Sequence, residues 1–319
     1  MVLTALLRNR RFAPCRGKYT ILLTEGLDTS IMSNILRSVI PRLAKQAINN
    51  HIRTIVNPDG PYQRSRPREN AYCFTETGAE GQGLPVPPRE LWVGYADDAA
   101  GYLASGEKDV AIMARIVEES GMSLTDAKRV LELGCAAGRM IRHIPKLAPA
   151  AELWGVDINA EYVQWCVNHL TRAMPNMQFA TVTTIPHLPF EDRYFDVIFC
   201  GSVFTHIEDT HRTWLLELAR VLRPGGKLFI TIHDEHTVEL LETSHDGTRL
   251  AQVAREQVVY TSNKDKFGMI VIGRGAASQV FYRSSYFRSI LPPCLRWVSH
   301  TPQAYFFQSA VLAEKCRDS

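Results

Sequence analysis

The second half of the chain predicts an α/β fold, with a mostly parallel sheet covered by helices. Short apolar runs of strand length alternate with segments of helical periodicity, and they lie at 130–133, 153–157, 177–182, 195–200 and 227–232. A glycine-containing turn follows the first run at once, and Asp157 closes the second. Strands that alternate with helices are joined by crossovers and pair in parallel, so their carboxyl ends meet at one edge of the sheet.

The helices between these runs carry their own start signals. Residues 96–120 have helical periodicity, Asn159 is placed to cap a helix over 161–170, and Asp209 lies near the start of one over 210–222. Asparagine and aspartate are favoured at helix starts because their side chains accept hydrogen bonds from the backbone N–H groups of the first turn.

Residues 1–84 differ in composition and are predicted to form a basic extension ahead of a second domain over 85–319. Residues 1–70 contain twelve Lys/Arg and four Asp/Glu, although the whole chain has a net charge of only +3. Helical spacing of apolar residues over 31–55 predicts a basic amphipathic helix, kinked at Pro41. Such a helix suits an anionic membrane surface or a protein partner through residues 31–56, or covers the protein's own core. Six prolines between 57 and 90 indicate an irregular linker.

Composition excludes several other classes of protein. Hydrophobic residues make up 45% of the chain, too many for a disordered protein, and the seven cysteines lie singly with no Cys-x-x-Cys pair. That pattern fits reduced thiols in the cytoplasm better than a secreted disulfide framework or a zinc site. No run approaches about 18 apolar residues, and the apolar start lacks the charge order of a signal peptide. We therefore expect a cytoplasmic protein without a membrane span.

The turn after the first run has the features of a site for an adenosine-containing cofactor. Glu132, Gly134, Ala136 and Gly138 surround this turn, and small residues let a ligand approach the backbone. Asp157 lies 23 residues after Gly134, where a carboxylate can accept hydrogen bonds from both ribose hydroxyls. A nicotinamide dinucleotide and S-adenosylmethionine both fit these features. Glu132 favours the second, because a carboxylate repels a pyrophosphate and attracts an ammonium group.

At this turn the sequence resembles the class I S-adenosylmethionine-dependent methyltransferases, whose first motif is an acidic residue followed by G-x-G-x-G. Over roughly residues 85–315, further segments match in the expected order: Leu188-Pro189-Phe190, Phe195-Asp196-Val197-Ile198, 202–207, and 218–227. In the last of these, Pro224-Gly225-Gly226 predicts a tight turn between a helix and an apolar strand. Two positions depart from the pattern: Ala136 replaces the middle glycine, and Thr184 stands where an acid often precedes Leu-Pro-Phe. The resemblance implies a Rossmann-like, seven-stranded, mostly parallel sheet with an antiparallel last strand and helices on both faces.

The resemblance also implies S-adenosylmethionine as cofactor, with S-adenosylhomocysteine as its product, bound at the carboxyl ends of the strands. The methionine portion is expected at the turn, the ribose on Asp157, and adenine near Thr184 and Ile185. The full set of expected cofactor-binding residues is Glu132, Gly134, Cys135, Ala136, Gly138, Asp157, Ile158, Thr184, Ile185, Cys200, Gly201 and Ser202.

Methyl transfer from a sulfonium is an in-line displacement, so the protein's task is to align the acceptor and, for a hydroxyl, to remove its proton. Candidate bases are His206 and His233, which follow the fourth and fifth strands. The alternative for each histidine is a purely structural role, in which its ring only forms a hydrogen bond. The run His233-Asp234-Glu235-His236 matches no metal-site spacing, so no metal is expected. Residues 237–290 form an insertion predicted to cap the acceptor pocket, ahead of two closing strands in 292–314, of which the last is expected over 304–314.

The sequence thus predicts an enzyme that transfers a methyl group from S-adenosylmethionine to an oxygen or nitrogen of a small-molecule acceptor. The basic extension suggests an RNA or protein methyltransferase as an alternative, although residues 31–56 lack the interleaved aromatics typical of RNA-binding segments. No DNA partner is expected. A non-catalytic partner subunit with the same fold is the other alternative, and the retained Glu132, Gly134 and Asp157 argue against it.

Overall fold

The computed structural model describes residues 84–317, so the predicted amphipathic helix over 31–55 lies outside the described residues. Within them, one large sheet contains β1 (Arg129–Leu133), β2 (Glu152–Asp157), β3 (Met177–Thr181), β4 (Phe195–Cys200), β5 (Leu222–Ile232), β8 (Leu295–Tyr305) and β9 (Gln308–Lys315). Their order is β3-β2-β1-β4-β5-β9-β8. The first five strands pair in parallel, and β9 runs antiparallel to both of its neighbours. This confirms the expected sheet and its antiparallel last strand.

The central strands are buried on both faces, as their nearly continuous apolar sequences require. In β4, Val197 and Phe199 point into one core cluster, whereas Ile198 and Cys200 point into the other. This alternation follows from the two-residue period of a strand. The sheet therefore separates two hydrophobic layers, each covered by helices.

Helices cover both layers. The first layer contains α1 (Ala99–Glu119), α2 (Ala160–Cys166) and the 3₁₀ segment Ile141–Lys146, and the second contains α3 (His211–Val221). The Asn159 side chain accepts a hydrogen bond from the backbone N–H of Glu161 at 2.9 Å, so it caps α2 as the sequence predicts. A π-helical segment, Val167–Thr171, continues α2.

Two boundaries differ from the sequence-based expectation. Pro224-Gly225-Gly226 is not a turn ahead of a strand, because β5 already begins at Leu222 and a register shift against β4 accommodates these residues. Gly225 takes a positive φ of 77° there. The last strand begins at Gln308 and not near residue 304, because the chain first completes β8 and reverses at Phe306 and Phe307. Local patterns place strand centres well, but bulges and reversals depend on the partner strand.

The segment between β5 and β8 forms a small unit with its own core. It contains α4 (Glu235–Glu242), α5 (Arg249–Arg255), α6 (Val258–Thr261), β6 (Met269–Ile272), β7 (Gln279–Tyr282) and α7 (Ser284–Ser289). β6 and β7 form an antiparallel pair, and a separate cluster that includes Leu241, Tyr260 and Phe281 packs against them. Within residues 84–317, no helix is both long and apolar enough to span a bilayer.

Candidate active site

The turn after β1 is held in the left-handed region of backbone conformation. Gly134, Ala136 and Gly138 have φ values of 77°, 45° and 75°. The backbone N–H groups of Gly134 and Cys135 both donate to the carbonyl of Val156, at 2.8 and 3.1 Å, which ties the turn to the end of β2. Ala136 is strained at this φ, because its Cβ lies close to the backbone in the left-handed region. The turn thus tolerates the alanine that departs from the family motif.

Contacts within the protein also require the two glycines. A Cβ on Gly134 would lie 2.4 Å from Cγ2 of Val203, and one on Gly138 would lie 2.5 Å from Cδ1 of Leu170. The sequence suggested that small residues let a ligand approach the backbone. In the structure, the glycines also let the loop after β4 and the π-helical segment after α2 pack directly on the turn.

Asp157 ends β2 beside this turn and organises it. One carboxylate oxygen, Oδ2, accepts the backbone N–H of Ala136 at 2.9 Å, and Oδ1 accepts that of Asn159 at 2.8 Å. The side chain is only 8% exposed. Burial raises the pKa of Asp157, and the N–H donors oppose that shift. The two oxygens together offer about four acceptor positions, so the carboxylate can still accept a hydrogen bond from a ribose hydroxyl.

Glu132 lies in the interior below the turn. It is 3% exposed, and its Oε2 accepts the backbone N–H of Ile141 at 3.0 Å. Burial raises the pKa of Glu132 well above its usual range, while the nearby Arg139 guanidinium opposes the shift. The side chain therefore fixes the segment that follows the turn, whichever ligand binds there.

The other predicted cofactor residues lie along the carboxyl ends of β1 to β4. Thr184 and Ile185 follow β3 on an exposed loop, and Ile185 keeps 59% of its surface in solvent. Ile158 is half-buried directly after Asp157. Cys135 and Cys200 are buried, and burial raises the pKa of both thiols. They are core residues beneath the site.

Two thiols flank the turn closely. The Sγ atom of Cys135 lies 3.5 Å from the carbonyl oxygen of Ala136, and that of Cys166, in α2, lies 3.6 Å from the same oxygen. Both side chains are about 1% exposed or less. They therefore form part of the packing that holds the turn.

A hydrogen-bond network stabilises the loop after β4. Ser202 has a positive φ of 58°, and its N–H donates to Oγ1 of Thr231 at 2.7 Å. Thr231 Oγ1 in turn donates to Oε1 of Gln308, whose Nε2 donates to Oγ of Ser202 at 2.9 Å. Gly201 lies against the ring of Tyr305, because a Cβ at that position would be 3.1 Å from its Cε2. The β8–β9 hairpin therefore reaches the same edge of the sheet as the cofactor turn.

His206 stands on this loop with one ring nitrogen fixed. Its Nδ1 lies 2.8 Å from the backbone carbonyl of Ser278, and since a carbonyl only accepts, Nδ1 carries the proton. The Ser278 hydroxyl donates back to the carbonyl of His206 at 2.7 Å. The side chain keeps solvent exposure. Surrounding protein still desolvates the ring and lowers its pKa, which the bond to Ser278 opposes. The neutral ring therefore presents Nε2 as an acceptor.

His233 has a different environment. It is 2% exposed, packs between the rings of Phe281 and Phe307, and leaves Nδ1 buried without a hydrogen-bond partner. Burial lowers the pKa of His233 to about 3. The following residue, Asp234, caps α4 and bonds to Nε2 of His300 at 2.7 Å. Of the two candidate bases, His206 alone combines a fixed tautomer with access to solvent.

A buried polar cluster beside the site is absent from the sequence-based prediction. Arg139 follows the turn and is 4% exposed, with Nη2 at 2.8 Å from Oδ2 of Asp109 and at 2.5 Å from the hydroxyl of Tyr305. The Tyr305 hydroxyl donates to that of Tyr95 at 2.7 Å, and the guanidinium lies 3.9 Å from the centroid of the Tyr95 ring. An arginine just after a glycine turn is the one local signal for this cluster.

The residues at the turn fit an adenosine group that carries an amino acid better than one that carries a pyrophosphate. The acidic side chains of Glu132 and Asp157 lie below and beside the turn. Two buried guanidinium groups lie near it and both are engaged: that of Arg139 pairs with Asp109, and Nε of Arg142 donates to the carbonyl of Gly138 at 2.9 Å. A pyrophosphate at the turn would lie beside the Asp157 carboxylate. Asp157 offers acceptors to a ribose diol, and the exposed Ile185 offers an apolar surface to adenine. Among residues 84–317, no group of three or more His, Cys, Asp or Glu side chains has metal-binding geometry.

Comparisons with known proteins agree with this geometry. Residues 130–226 match the family model of a methyltransferase domain. The chain is 29% identical, over 132 residues, to a phthiotriol/phenolphthiotriol dimycocerosates methyltransferase of Mycobacterium ulcerans (strain Agy99), covering 41% of this chain and 47% of that protein. An O-methyltransferase of Penicillium expansum is 30% identical over 146 residues, covering 44% of this chain and 50% of its own length. The chain thus spans about half the length of these curated relatives.

The fold has a counterpart among solved structures. A protein of Pyrococcus horikoshii OT3 superposes with a TM-score of 0.50 at 16% identity, covering 72% of this chain and 100% of that one. The strand order, the acidic glycine turn after β1 and the carboxylate at the end of β2 are those expected of a class I S-adenosylmethionine-dependent methyltransferase domain. Residues 130–226 are similar to a methyltransferase domain, and the sheet around them has the fold of such a domain.

Proposed function

We propose that this protein transfers the methyl group of S-adenosylmethionine to an oxygen or nitrogen of a small-molecule acceptor. The observation that carries the proposal is the placement of His206. Its Nδ1 is committed to the Ser278 carbonyl, and its loop lies at the same edge of the sheet as the turn and Asp157. A neutral ring nitrogen at that edge can accept the proton of an acceptor hydroxyl.

Different residues are expected to hold different parts of the cofactor. Asp157 orients a ribose diol, Ile185 and Thr184 cover an adenine, and the turn from Gly134 to Gly138 holds the amino-acid portion. When bound, S-adenosylmethionine supplies an electrophilic methyl group on a leaving group that becomes neutral. No nucleophilic side chain is needed, so alignment of the acceptor and removal of its proton are the tasks left to the protein.

The unit between β5 and β8 is proposed to cover the acceptor. Its β7 strand carries Tyr282, whose hydroxyl donates to the carbonyl of Ile207 at 2.9 Å, next to His206. The backbone N–H of Gly275 donates to Oε1 of Glu208 at 3.2 Å. These contacts clamp the loop that bears His206 and support the prediction that residues 237–290 cap the acceptor pocket.

The names of two relatives support a small-molecule acceptor. One is an O-methyltransferase, and another carries phthiotriol and phenolphthiotriol dimycocerosates in its name. Nothing in residues 84–317 favours RNA or protein as the acceptor. The proposed membrane or protein partner of residues 31–56 stays a prediction from sequence.

Calorimetric titration of the full-length protein tests the cofactor half of the proposal. We expect micromolar binding of S-adenosylmethionine and S-adenosylhomocysteine and no binding of NADH. Transfer of labelled methyl from S-adenosylmethionine to a panel of hydroxyl and amine acceptors then tests the reaction. Absence of cofactor binding in a folded preparation would instead favour a non-catalytic partner subunit.

A further inference from the structure

An exposed aromatic surface lies at the tip of the β8–β9 hairpin. Phe306 keeps 63% of its surface in solvent. Its ring centroid is 4.5 Å from that of Phe307 and 5.4 Å from that of His245, which meets it edge-on. His245 comes from the unit that follows β5, so two separate parts of the chain build this surface.

The backbone at Phe306 is unfavourable for its side chain. Its φ is 55°, in the left-handed region that glycine and asparagine prefer. A phenylalanine there is strained compared with glycine, and its exposed ring recovers little of that cost by burial. Backbone strain of this kind clusters at active sites and ligand-binding surfaces, so the exposed ring of Phe306 is a candidate ligand contact.

The hairpin tip adjoins the active site on both sides. Tyr305, the residue before Phe306, lies against Gly201, and Gln308 bonds to Ser202. The ring centroid of Phe307 lies 5.5 Å from that of His233. His233 in turn lies near enough to His206 for a charge on His206 to lower the pKa of His233. The exposed ring therefore lies at the same end of the sheet as the loop that carries His206.

The basicity of His206 limits the chemical class of the acceptor. Desolvation lowers the pKa of His206, so its neutral ring is a weak base. A phenol, with a pKa of about 10, gives up its proton to such a base far more readily than an alkyl alcohol, whose pKa is much higher. A weak base at neutral pH therefore favours the more acidic hydroxyl as acceptor.

We propose that the acceptor is a phenol whose aromatic ring packs on Phe306 and whose hydroxyl faces Nε2 of His206. This inference rests on the proposed function and names its substrate class. The phenolic oxygen forms the new O–CH₃ bond with its electron pair while the S–CH₃ bond breaks. That bond's electron pair stays on sulfur, and the phenolic proton passes to His206. Flat rings favour stacked or edge-on contacts with Phe306 and His245, which a saturated ring cannot make.

A matched pair of acceptors tests the proposal. 2-Naphthol and decahydro-2-naphthol share a skeleton and a hydroxyl but differ in aromaticity and acidity. With full-length protein and labelled S-adenosylmethionine, we expect methyl transfer to 2-naphthol at a rate at least tenfold above that to the saturated alcohol. Binding of each compound to the protein saturated with S-adenosylhomocysteine, followed by calorimetry, should show the same preference.

The variant Phe306→Asn removes the ring but keeps a residue suited to positive φ. We expect Tm to stay the same or rise, because asparagine relieves the backbone strain, and S-adenosylmethionine affinity to stay unchanged, while 2-naphthol affinity falls at least fivefold. Leu216→Asn, at an exposed apolar position of α3, is the control and should change neither affinity. Three results would overturn the inference: equal methyl-transfer rates for the two acceptors, no binding of either acceptor, or wild-type affinity for 2-naphthol in Phe306→Asn. Cofactor binding that persists in those cases would leave the proposed function standing, whereas its loss from the unaltered protein would remove both.

Discussion

Asp157 combines a structural and a ligand-binding task in one carboxylate. For Asp157→Asn, we expect binding of S-adenosylmethionine to weaken by about 1.5–3 kcal/mol, which is roughly 10- to 150-fold. The amide keeps one acceptor oxygen but turns an NH₂ group toward either Ala136 or Asn159, both of which donate N–H groups to the carboxylate. Calorimetry measures the loss of affinity.

The control for this substitution is Asp126→Asn, which removes an exposed carboxylate just before β1, at the opposite end of the sheet. It should leave affinity unchanged. A thermal melt of Asp157→Asn separates damage to the turn from loss of the ribose contact. Wild-type affinity in Asp157→Asn would show that Asp157 lies outside the cofactor site.

His206 should impose a pH dependence on the reaction. Because desolvation lowers its pKa below the usual value of about 6.5, the neutral, proton-accepting form persists into mildly acidic solution. We expect kcat to rise with pH through a midpoint below 6.5 and then to level off. His206→Gln retains a donor for the Ser278 carbonyl but lacks the base, so kcat should fall about 100-fold or more and this acidic limb should vanish. A variant that keeps both the limb and the rate would exclude His206 as the base.

Packing between elements makes the turn sensitive to a single methyl group. In Gly134→Ala, the new Cβ would lie 2.4 Å from Val203, on a backbone of positive φ. We expect a loss of about 2–4 kcal/mol in the free energy of unfolding, measured by urea denaturation. The double variant Gly134→Ala/Val203→Ala removes the clash but leaves the backbone strain, so it should recover part of that loss. Full recovery would mean that φ contributes nothing here.

The Arg139 cluster links α1, the turn and the β8–β9 hairpin. Asp109→Asn removes the one carboxylate that pairs with this buried guanidinium. We expect a loss of about 2–4 kcal/mol in the free energy of unfolding, because an unpaired buried charge is costly. The control is Glu107→Gln, on the same helix as Asp109, which breaks an exposed pair with Lys146 and should have a much smaller effect on the free energy of unfolding. Similar losses in both variants would contradict a special role for Arg139.

The contrast between local and distant contacts explains what the sequence can predict. The strands and the turn are readable because their signals lie within a few residues, as in 130–138. Neither the bond between Arg139 and Tyr305 nor that between His206 and Ser278 leaves such a trace, since these pairs are separated by 166 and 72 residues. The positive φ at Phe306 is equally hidden, because phenylalanine gives no turn signal. The fold was therefore predictable, whereas the surroundings of the base were not.

At the scale of the whole molecule, buried neutral histidines should make the fold sensitive to acid. Burial and the neighbouring Arg142 lower the pKa of His143 to about 4, and burial lowers that of His233 to about 3. In the unfolded chain the pKa of a histidine is about 6.5, so below that pH these two histidines bind protons in the unfolded chain but stay neutral in the folded protein. This contribution to stability is intact above about pH 7.5 and declines as pH falls. At pH 5 the two residues together should remove about 4 kcal/mol.

Replacing one histidine isolates its share of that decline. His233→Phe should flatten the dependence of the free energy of unfolding on pH between 7 and 5 by about half, measured by urea denaturation at each pH. His187→Phe changes an exposed histidine and should leave the slope as it is. A slope that His233→Phe does not alter would mean that other groups cause the acid sensitivity.

The two thiols that flank the Ala136 carbonyl make the cofactor turn observable without any added label. Cys135 and Cys166 are sealed in the closed molecule, whereas Cys294 and Cys316 are exposed. A thiol reagent therefore reaches the first pair only when the turn separates from α2. In a Cys200→Ser background, which removes the third buried thiol of residues 84–317, the slow reaction phase measures how often that opening occurs. A ligand bound at the turn would slow this phase, so the reaction rate of the natural cysteines reports the rate of local opening at the site.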